Sequence, residues 1–173
     1  MEKFVPDIYK KSVFDIDFNI LKLRGINCIL FDLDNTLVPH KEKVPSSKLI
    51  ELFTELREMG FLTIIITNNR NKRVKPFKEG LGIECYTMAF KPSSKTFLKI
   101  MKDHNLNEME MAIIGDQICT DIIGGNRVGL TTILVNPISE RESLLTSINR
   151  FRENRIIKKM SKHDLFYKGR YYD

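Results

Sequence analysis

Between residues 26 and 135 the chain alternates short apolar runs with stretches of helical periodicity. That alternation is the pattern of successive strand–helix units built around a parallel sheet. Strands are predicted at residues 26–31, 61–66, about 84–88, 111–114 and 131–135, most of them rich in Ile, Leu or Val. The clearest helix follows Pro45-Ser46-Ser47, where Leu49, Leu52, Phe53, Leu56 and Met59 recur at the spacing of one apolar stripe and Gly60 closes the element. A second helix is predicted from Ser93-Ser94 with Phe97, Leu98 and Met101 inward, and a shorter third one between Asp116 and Gly124-Gly125. The segment 70–79 is a weaker helix because Pro76 interrupts it. The fold expected is therefore α/β, a Rossmann-like three-layer sandwich with a parallel sheet of about five strands.

No repeat, low-complexity tract or Gly/Ser linker divides the chain. At Asn136-Pro137 the alternation gives way to a basic helical stretch. Three segments follow: residues 1–25, expected to pack on the core or on a membrane surface; a core over 26–137; and a basic helical tail over 138–173.

Charge sharpens this division. The net charge is +6 over 173 residues. From Arg141 to Asp173 there are nine Lys/Arg against four Asp/Glu, which leaves 19 against 18 for residues 1–140. The core is nearly neutral and the tail is basic. A hydrophobic fraction of 42% suits a globular protein with a continuous core. Cys28, Cys85 and Cys119 are odd in number and widely spaced, which suggests neither a disulfide framework nor a zinc site, and a reducing cytoplasm suits them. The amino end lacks the apolar run of a signal peptide, and no window approaches the ~20 apolar residues of a membrane span.

The chemistry-bearing residues stand at strand ends. The first strand runs into Asp32-Leu33-Asp34-Asn35-Thr36. In a parallel α/β sheet, ligands collect at the carboxyl ends of strands, so both carboxylates fall where a site is expected. Like charges so close need a cation, and oxygen ligands favour a hard one such as Mg²⁺. The second strand ends in Thr67-Asn68-Asn69, which offers a hydroxyl, amides and backbone N–H groups to an anion. Lys91-Pro92 follows the third, and the fourth ends in Gly115-Asp116 with Asp121 five residues on. Each position also has a purely structural reading: a turn and helix cap for Asp-x-Asp-Asn, a strand-to-helix turn for Thr67-Asn68-Asn69, a solvated side chain for Lys91. Asn126 and Arg127 read as structural, and His40, His104 and His163 pair with no nucleophile.

In this order the residues resemble the four motifs of the haloacid dehalogenase (HAD) superfamily of phosphatases: D-x-D-x-T at 32–36, Thr67, Lys91, and G-D-x-x-x-x-D at 115–121. The resemblance implies that Asp32 is the nucleophile, forming an aspartyl-phosphate, and that Asp34 is the general acid/base. It implies a Mg²⁺ on the Asp32 carboxylate, the Asp34 backbone carbonyl and the Asp116 carboxylate. Thr67, the Asn68 backbone and Lys91 would hold phosphoryl oxygens, and Asp121 would orient Lys91 or a metal-bound water. A phosphoacceptor receiver domain uses similar residues in a different order.

Members of the superfamily usually carry a cap domain after the first motif or between the second and third. Here 35 residues separate Asp32 from Thr67 and 24 separate Thr67 from Lys91, which leaves no room for one. An uncapped site suits a phosphate on something large, on a membrane surface, or under an oligomer partner. Residues Phe4, Ile8, Tyr9, Val13 and Phe14 with interspersed lysines, and the stripe Leu144, Leu145, Ile148 and Phe151 followed by Arg152, Arg155, Lys158, Lys159 and Lys162, read as basic amphipathic segments that favour anionic lipid; packing of the second on the core is the competing reading. Few aromatic side chains interleave the basic ones, so no nucleic-acid partner is expected.

From Phe4-Val5-Pro6-Asp7 through Ser12–Asp17, Asp32–Leu37, Thr67-Asn68-Asn69, Lys91-Pro92, Gly115–Asp121 and Gly124–Arg127, the layout is similar to the bacterial YqeG-type class IIIA branch, itself similar to the mitochondrial phosphatidylglycerophosphate phosphatase. That implies a lipid phosphomonoester substrate and a cytoplasmic protein peripheral on the inner membrane face. A phosphatase of a soluble metabolite, phosphoprotein or nucleic-acid end, and a non-catalytic phosphate-binding adaptor, are the alternatives.

Overall fold

The computed structural model describes residues 1–139 and 144–173, the side chains of 144–150 apart. Six strands, β1 (Ile8–Lys10), β2 (Cys28–Phe31), β3 (Leu62–Ile66), β4 (Glu84–Tyr86), β5 (Met111–Gly115) and β6 (Thr131–Val135), form one sheet in the order β1-β6-β5-β2-β3-β4. Every pair is parallel. The strands β2, β3 and β5 are buried almost throughout, as expected where helices cover both faces. The strand order reverses between β2 and β5, so a crevice opens beyond their carboxyl ends.

Helix α1 (Phe18–Leu23), α2 (Ser47–Glu58) and α3 (Asn71–Leu81) lie on one face with the larger apolar cluster; α4 (Lys95–His104) and α5 (Ile123–Val128) lie on the other. Ser46 caps α2, its hydroxyl accepting from the Leu49 amide, and Leu49, Leu52, Phe53 and Leu56 bury the stripe read from the sequence. Each such side chain stabilises the fold by about 1.5–3 kcal/mol on transfer grounds. In α4 the inward face is Phe97 and Ile100, with Leu98 53% exposed, which corrects its expected inward placement. Positions 97, 100 and 101 share a helical face, whereas Leu98 is turned about 100° from Phe97. Helix α3 forms in full despite Pro76, because Val74, Phe77 and Leu81 all bury against the sheet.

The sixth strand was not among the five expected. Three residues are too few for a periodic signal, and β1 is held by contacts distant in sequence: the Asp7 carboxylate accepts from the Thr132 amide (2.7 Å) and hydroxyl (3.0 Å). Strand β4 ends at Tyr86 rather than 88, since Met88 and Phe90 adopt left-handed φ values of 50° and 52°.

Helix α6 (Leu144–Lys162) and the residues after it return to the β1 edge. Tyr172 exchanges backbone hydrogen bonds with Tyr9, and Lys10 pairs with Asp173 at 2.7 Å. Met160 and Phe166 bury against Tyr9, Ile118 and Ile122. The amino-terminal Ile8, Tyr9 and Val13 are likewise inside the protein. Of the stripe expected at Leu144, Leu145, Ile148 and Phe151, the first three side chains lie outside the described residues, and Phe151 is 65% exposed. No helix among the described residues is long and apolar enough to cross a membrane.

Candidate active site

Loops 32–46 and 67–70 leave β2 and β3 at the same sheet edge, and no further domain stands over them among the described residues. After β2 the chain turns sharply: Asn35 takes a φ of 65°, tolerated better by Asn than by most side chains, and its amide donates to Val38 O. The turn leaves Asp32 and Thr36 buried beside each other. The Thr36 hydroxyl bridges Asp32 Oδ2 (3.4 Å) and Asp116 Oδ1 (3.1 Å), which ties the ends of β2 and β5 together.

At the centre, the buried Lys91 Nζ lies 2.7 Å from Asp32 Oδ1 and 2.6 Å from Asp121 Oδ1. Asp121 Oδ2 accepts from the Gln117 amide, so both its oxygens are engaged in holding Lys91 and the loop. Gly115 is required by this packing, because a Cβ there would sit 2.3 Å from Asp121 Cγ. Burial lowers the Lys91 pKa, but the carboxylates of Asp121 and Asp32 outweigh it and hold the ammonium charged, above its ordinary value. Burial pushes the Asp32 carboxyl up to about 6 against the pull of Lys91, with Asp121 and Asp34 adding to the rise. Asp116 is raised well above its ordinary value, by burial first and then by Asp32, Asp121 and Glu153.

Oxygens of Asp32, Asp116 and Asp121 all lie within 4.8 Å of one another. Fully ionised, three carboxylates against one ammonium carry two net negative charges in a buried cluster, which a divalent cation would cancel. The donors are all oxygen, which fits a hard ion such as Mg²⁺ rather than a thiophilic one.

The Asp34 carboxylate is held by partners of its own. Its Oδ1 accepts from Arg73 Nε (3.1 Å) and Nη2 (2.6 Å), and its Oδ2 from Asn69 Nδ2 (2.6 Å). The same Asn69 amide reaches Thr67 Oγ1 at 3.2 Å, and the Asn69 backbone N–H donates to that oxygen at 3.1 Å. With its oxygen accepting twice, Thr67 has its own hydrogen to donate. Asn68 pairs through its side chain with the Lys91 backbone in both directions, at 3.1 Å and 2.6 Å, and so pins the loop that carries the lysine.

The structure thus gathers Asp32, Lys91, Asp116 and Asp121 in one cluster and joins Asp34 to Thr67 through Asn69. Sequence reasoning missed Arg73, which lies in the helix whose signal Pro76 weakened, and Glu153, a buried carboxylate of the basic tail whose Oε1 accepts from the Cys119 amide. It also set aside His40, whose Nδ1 lies 3.5 Å from Asp34 Oδ1. Asn126 and Arg127 are structural, as read: Asn126 bonds the Lys3 and Val5 carbonyls and Arg127 the Pro92 carbonyl.

A parallel sheet whose switch point carries this Asp/Thr/Lys/Asp set defines a hydrolase class. Residues 29–91 match the family described as haloacid dehalogenase-like hydrolase, and residues 89–161 one described as HAD-hydrolase-like. The chain belongs to the haloacid dehalogenase-like hydrolases. Within them it is 41% identical over 154 residues to "Probable phosphatase YqeG" of Bacillus subtilis, covering 89% of this chain and 90% of that protein. It is 27% identical over 149 residues to phosphatidylglycerophosphate phosphatase 1 of Arabidopsis thaliana, covering 80% of this chain and 42% of that longer one. The fold is shared with 3-deoxy-D-manno-octulosonate 8-phosphate phosphatase from Moraxella catarrhalis, a structure in complex with magnesium and phosphate ions (TM-score 0.52, 16% identity, 72% and 77% of the two chains).

Proposed function

We propose that the protein is a Mg²⁺-dependent phosphomonoesterase acting through an aspartyl-phosphate, with phosphatidylglycerophosphate as substrate. The observation that carries the catalytic part is the buried Lys91 ammonium between Asp32 and Asp121, with Asp116 alongside. Asp32 attacks phosphorus in line with the ester oxygen, and that bond breaks as the P–O bond to Asp32 forms. Asp34 delivers a proton to the leaving alkoxide and later takes one from the water that cleaves the aspartyl-phosphate. Lys91, the Thr67 hydroxyl and the Asn68 backbone N–H hold the phosphoryl oxygens, and Asp121 positions Lys91. Asp32, the Asp34 backbone carbonyl and Asp116 would hold the cation, which supplies charge neutralisation at a phosphoryl oxygen.

The lipid substrate is supported by the open site and by the similarity to phosphatidylglycerophosphate phosphatase 1 of Arabidopsis thaliana. Purified chain with Mg²⁺ and phosphatidylglycerophosphate in mixed micelles is expected to release phosphate and form phosphatidylglycerol in equal amounts, and chelation to stop both. Faster turnover of every soluble phosphomonoester than of the lipid would contradict this substrate.

The raised carboxyls give a second expectation. Between pH ~4, the ordinary carboxylate value, and pH about 6 the folded protein binds a proton at Asp32 that the unfolded chain has released. Without metal, stability therefore falls as pH rises through that window. Mg²⁺ binds the ionised form, so it is expected to raise Tm at pH 7.5 and to do little at pH 4.5. Thermal unfolding against pH, with and without Mg²⁺, checks both signs.

A further inference from the structure

Just beyond Asp34 the surface opens into a cleft of about 660 Å³ lined by Asn68, Asn69, Arg70, Lys72, Arg73 and Met88. Asp34 is the group that meets the leaving oxygen in the proposed reaction, so this cleft lies on the leaving-group side. Its wall is continuous with the site: Asn69 and Arg73 both bond Asp34, and Asn68 bonds Lys91. The charge of the cleft is unbalanced. Arg73 is committed to Asp34, and Lys75 and Lys99 have their own carboxylates in Glu79 and Asp103. Arg70 and Lys72 are exposed, and no ion pair engages either among the described residues.

Met88, on the cleft's lining, and Phe90, two residues further along the loop, are 42% and 68% exposed. The loop that presents them is firmly held: Met88 N donates to Asn69 O (2.9 Å), Ala89 N to Thr67 O (3.0 Å) and Ser93 N to Phe90 O (2.9 Å). Two apolar side chains fixed in water beside a basic cleft form an interfacial arrangement, with cations at headgroup depth and apolar tips beyond. Beside the phosphate ligands Thr67 and Lys91 the protein thus offers uncompensated cations and exposed apolar side chains. A substrate matching that set carries a terminal phosphomonoester, a second phosphate in its leaving group, and acyl chains beyond it.

We propose that the Asn68–Arg73 cleft is a second anion subsite, in which Arg70 and Lys72 take the phosphodiester of a lipid phosphomonoester while Met88 and Phe90 enter the bilayer interface. The inference rests on the phosphatase reading above and goes beyond it, since that reading needs no contact outside the reacting phosphate.

Three substrates separate its parts: glycerol 3-phosphate; the deacylated headgroup, which adds the phosphodiester without acyl chains; and phosphatidylglycerophosphate in phosphatidylcholine vesicles. Wild-type protein is expected to favour the headgroup over glycerol 3-phosphate by about tenfold or more in kcat/KM, the order of one or two charge-assisted contacts. In Arg70→Ala/Lys72→Ala that ratio falls to within about threefold of unity, chiefly through KM for the headgroup. Met88→Asn/Phe90→Asn, chosen because Asn accepts the left-handed backbone, lowers vesicle turnover at least about tenfold more than headgroup turnover. Equal kcat/KM for the two soluble substrates, or a charge variant that lowers both alike, would overturn the subsite; an apolar variant that lowers vesicle and headgroup turnover alike would overturn the interfacial contact. Phosphate release from none of the three would overturn the phosphatase reading, and the subsite with it.

Discussion

Asp32→Asn is expected to lower kcat by about 10⁴-fold or more, because the amide neither attacks phosphorus nor ligates a hard cation well. Stability should move the other way. Burial, Asp121 and Asp34 all disfavour the Asp32 carboxylate, and in the metal-free protein Lys91 offsets them only in part. A neutral side chain of the same size removes one buried negative charge, and its carbonyl can still accept from Lys91. Metal-free Asp32→Asn should therefore unfold at a higher temperature than wild type at pH 7.5, the exchange of stability for function seen where like charges are forced together. Steady-state kinetics and calorimetry of one preparation read both signs; a variant that lost stability along with activity would argue that Asp32 is a structural partner of Lys91.

Lys91→Met carries the second large effect, and here both quantities fall. The ammonium is buried and touches Asp32 and Asp121 directly. Removing it leaves carboxylates without their cation in a region that solvent does not reach, a loss of about 3–5 kcal/mol. Against a total of about 5–15 kcal/mol for a typical domain, that brings the fold close to its limit. Activity should fall by at least about 10²–10³-fold, the usual effect of deleting one group that neutralises transition-state charge. Added Mg²⁺ is expected to restore part of the lost Tm and little of the rate, since a cation among Asp32, Asp34 and Asp116 replaces charge but not the Lys91 contact to the phosphoryl group. A Tm unaffected by the substitution would contradict the electrostatic account of the cluster.

What the sequence revealed follows from how local each signal is. Strands β2, β3 and β5 are largely apolar runs, and Asp32, Thr67 and Asp116 each follow such a run directly, so placing the run placed the residue; Lys91 lies beyond the short strand β4 and was legible from the order of the motifs. The features it concealed depend on contacts between distant segments. Strand β1 exists because Asp7 reaches Thr132, 125 residues away. Glu153 carries no local signal in the sequence; its burial and its bond from the Cys119 amide arise only once α6 has docked. Arg73 was hidden for a different reason. Pro76 weakened the helix signal there, yet tertiary burial of Val74, Phe77 and Leu81 overrides that local cost and brings Arg73 to Asp34. Of the apolar residues of the amino end, expected on the core or on a membrane surface, Ile8, Tyr9 and Val13 face the interior and Phe14 is 38% exposed. Met88 and Phe90 are exposed instead, in the loop that leads to Lys91.

The central claim is that Asp32 takes the phosphoryl group. Acid quench of the enzyme during turnover, followed by borohydride reduction and peptide mass spectrometry, tests it directly, because an acyl phosphate is reduced to an alcohol and so marks its own position. The account predicts homoserine at position 32, in wild type and absent from Asp32→Asn. Reduction at another carboxylate, or full turnover by Asp32→Asn, would contradict it.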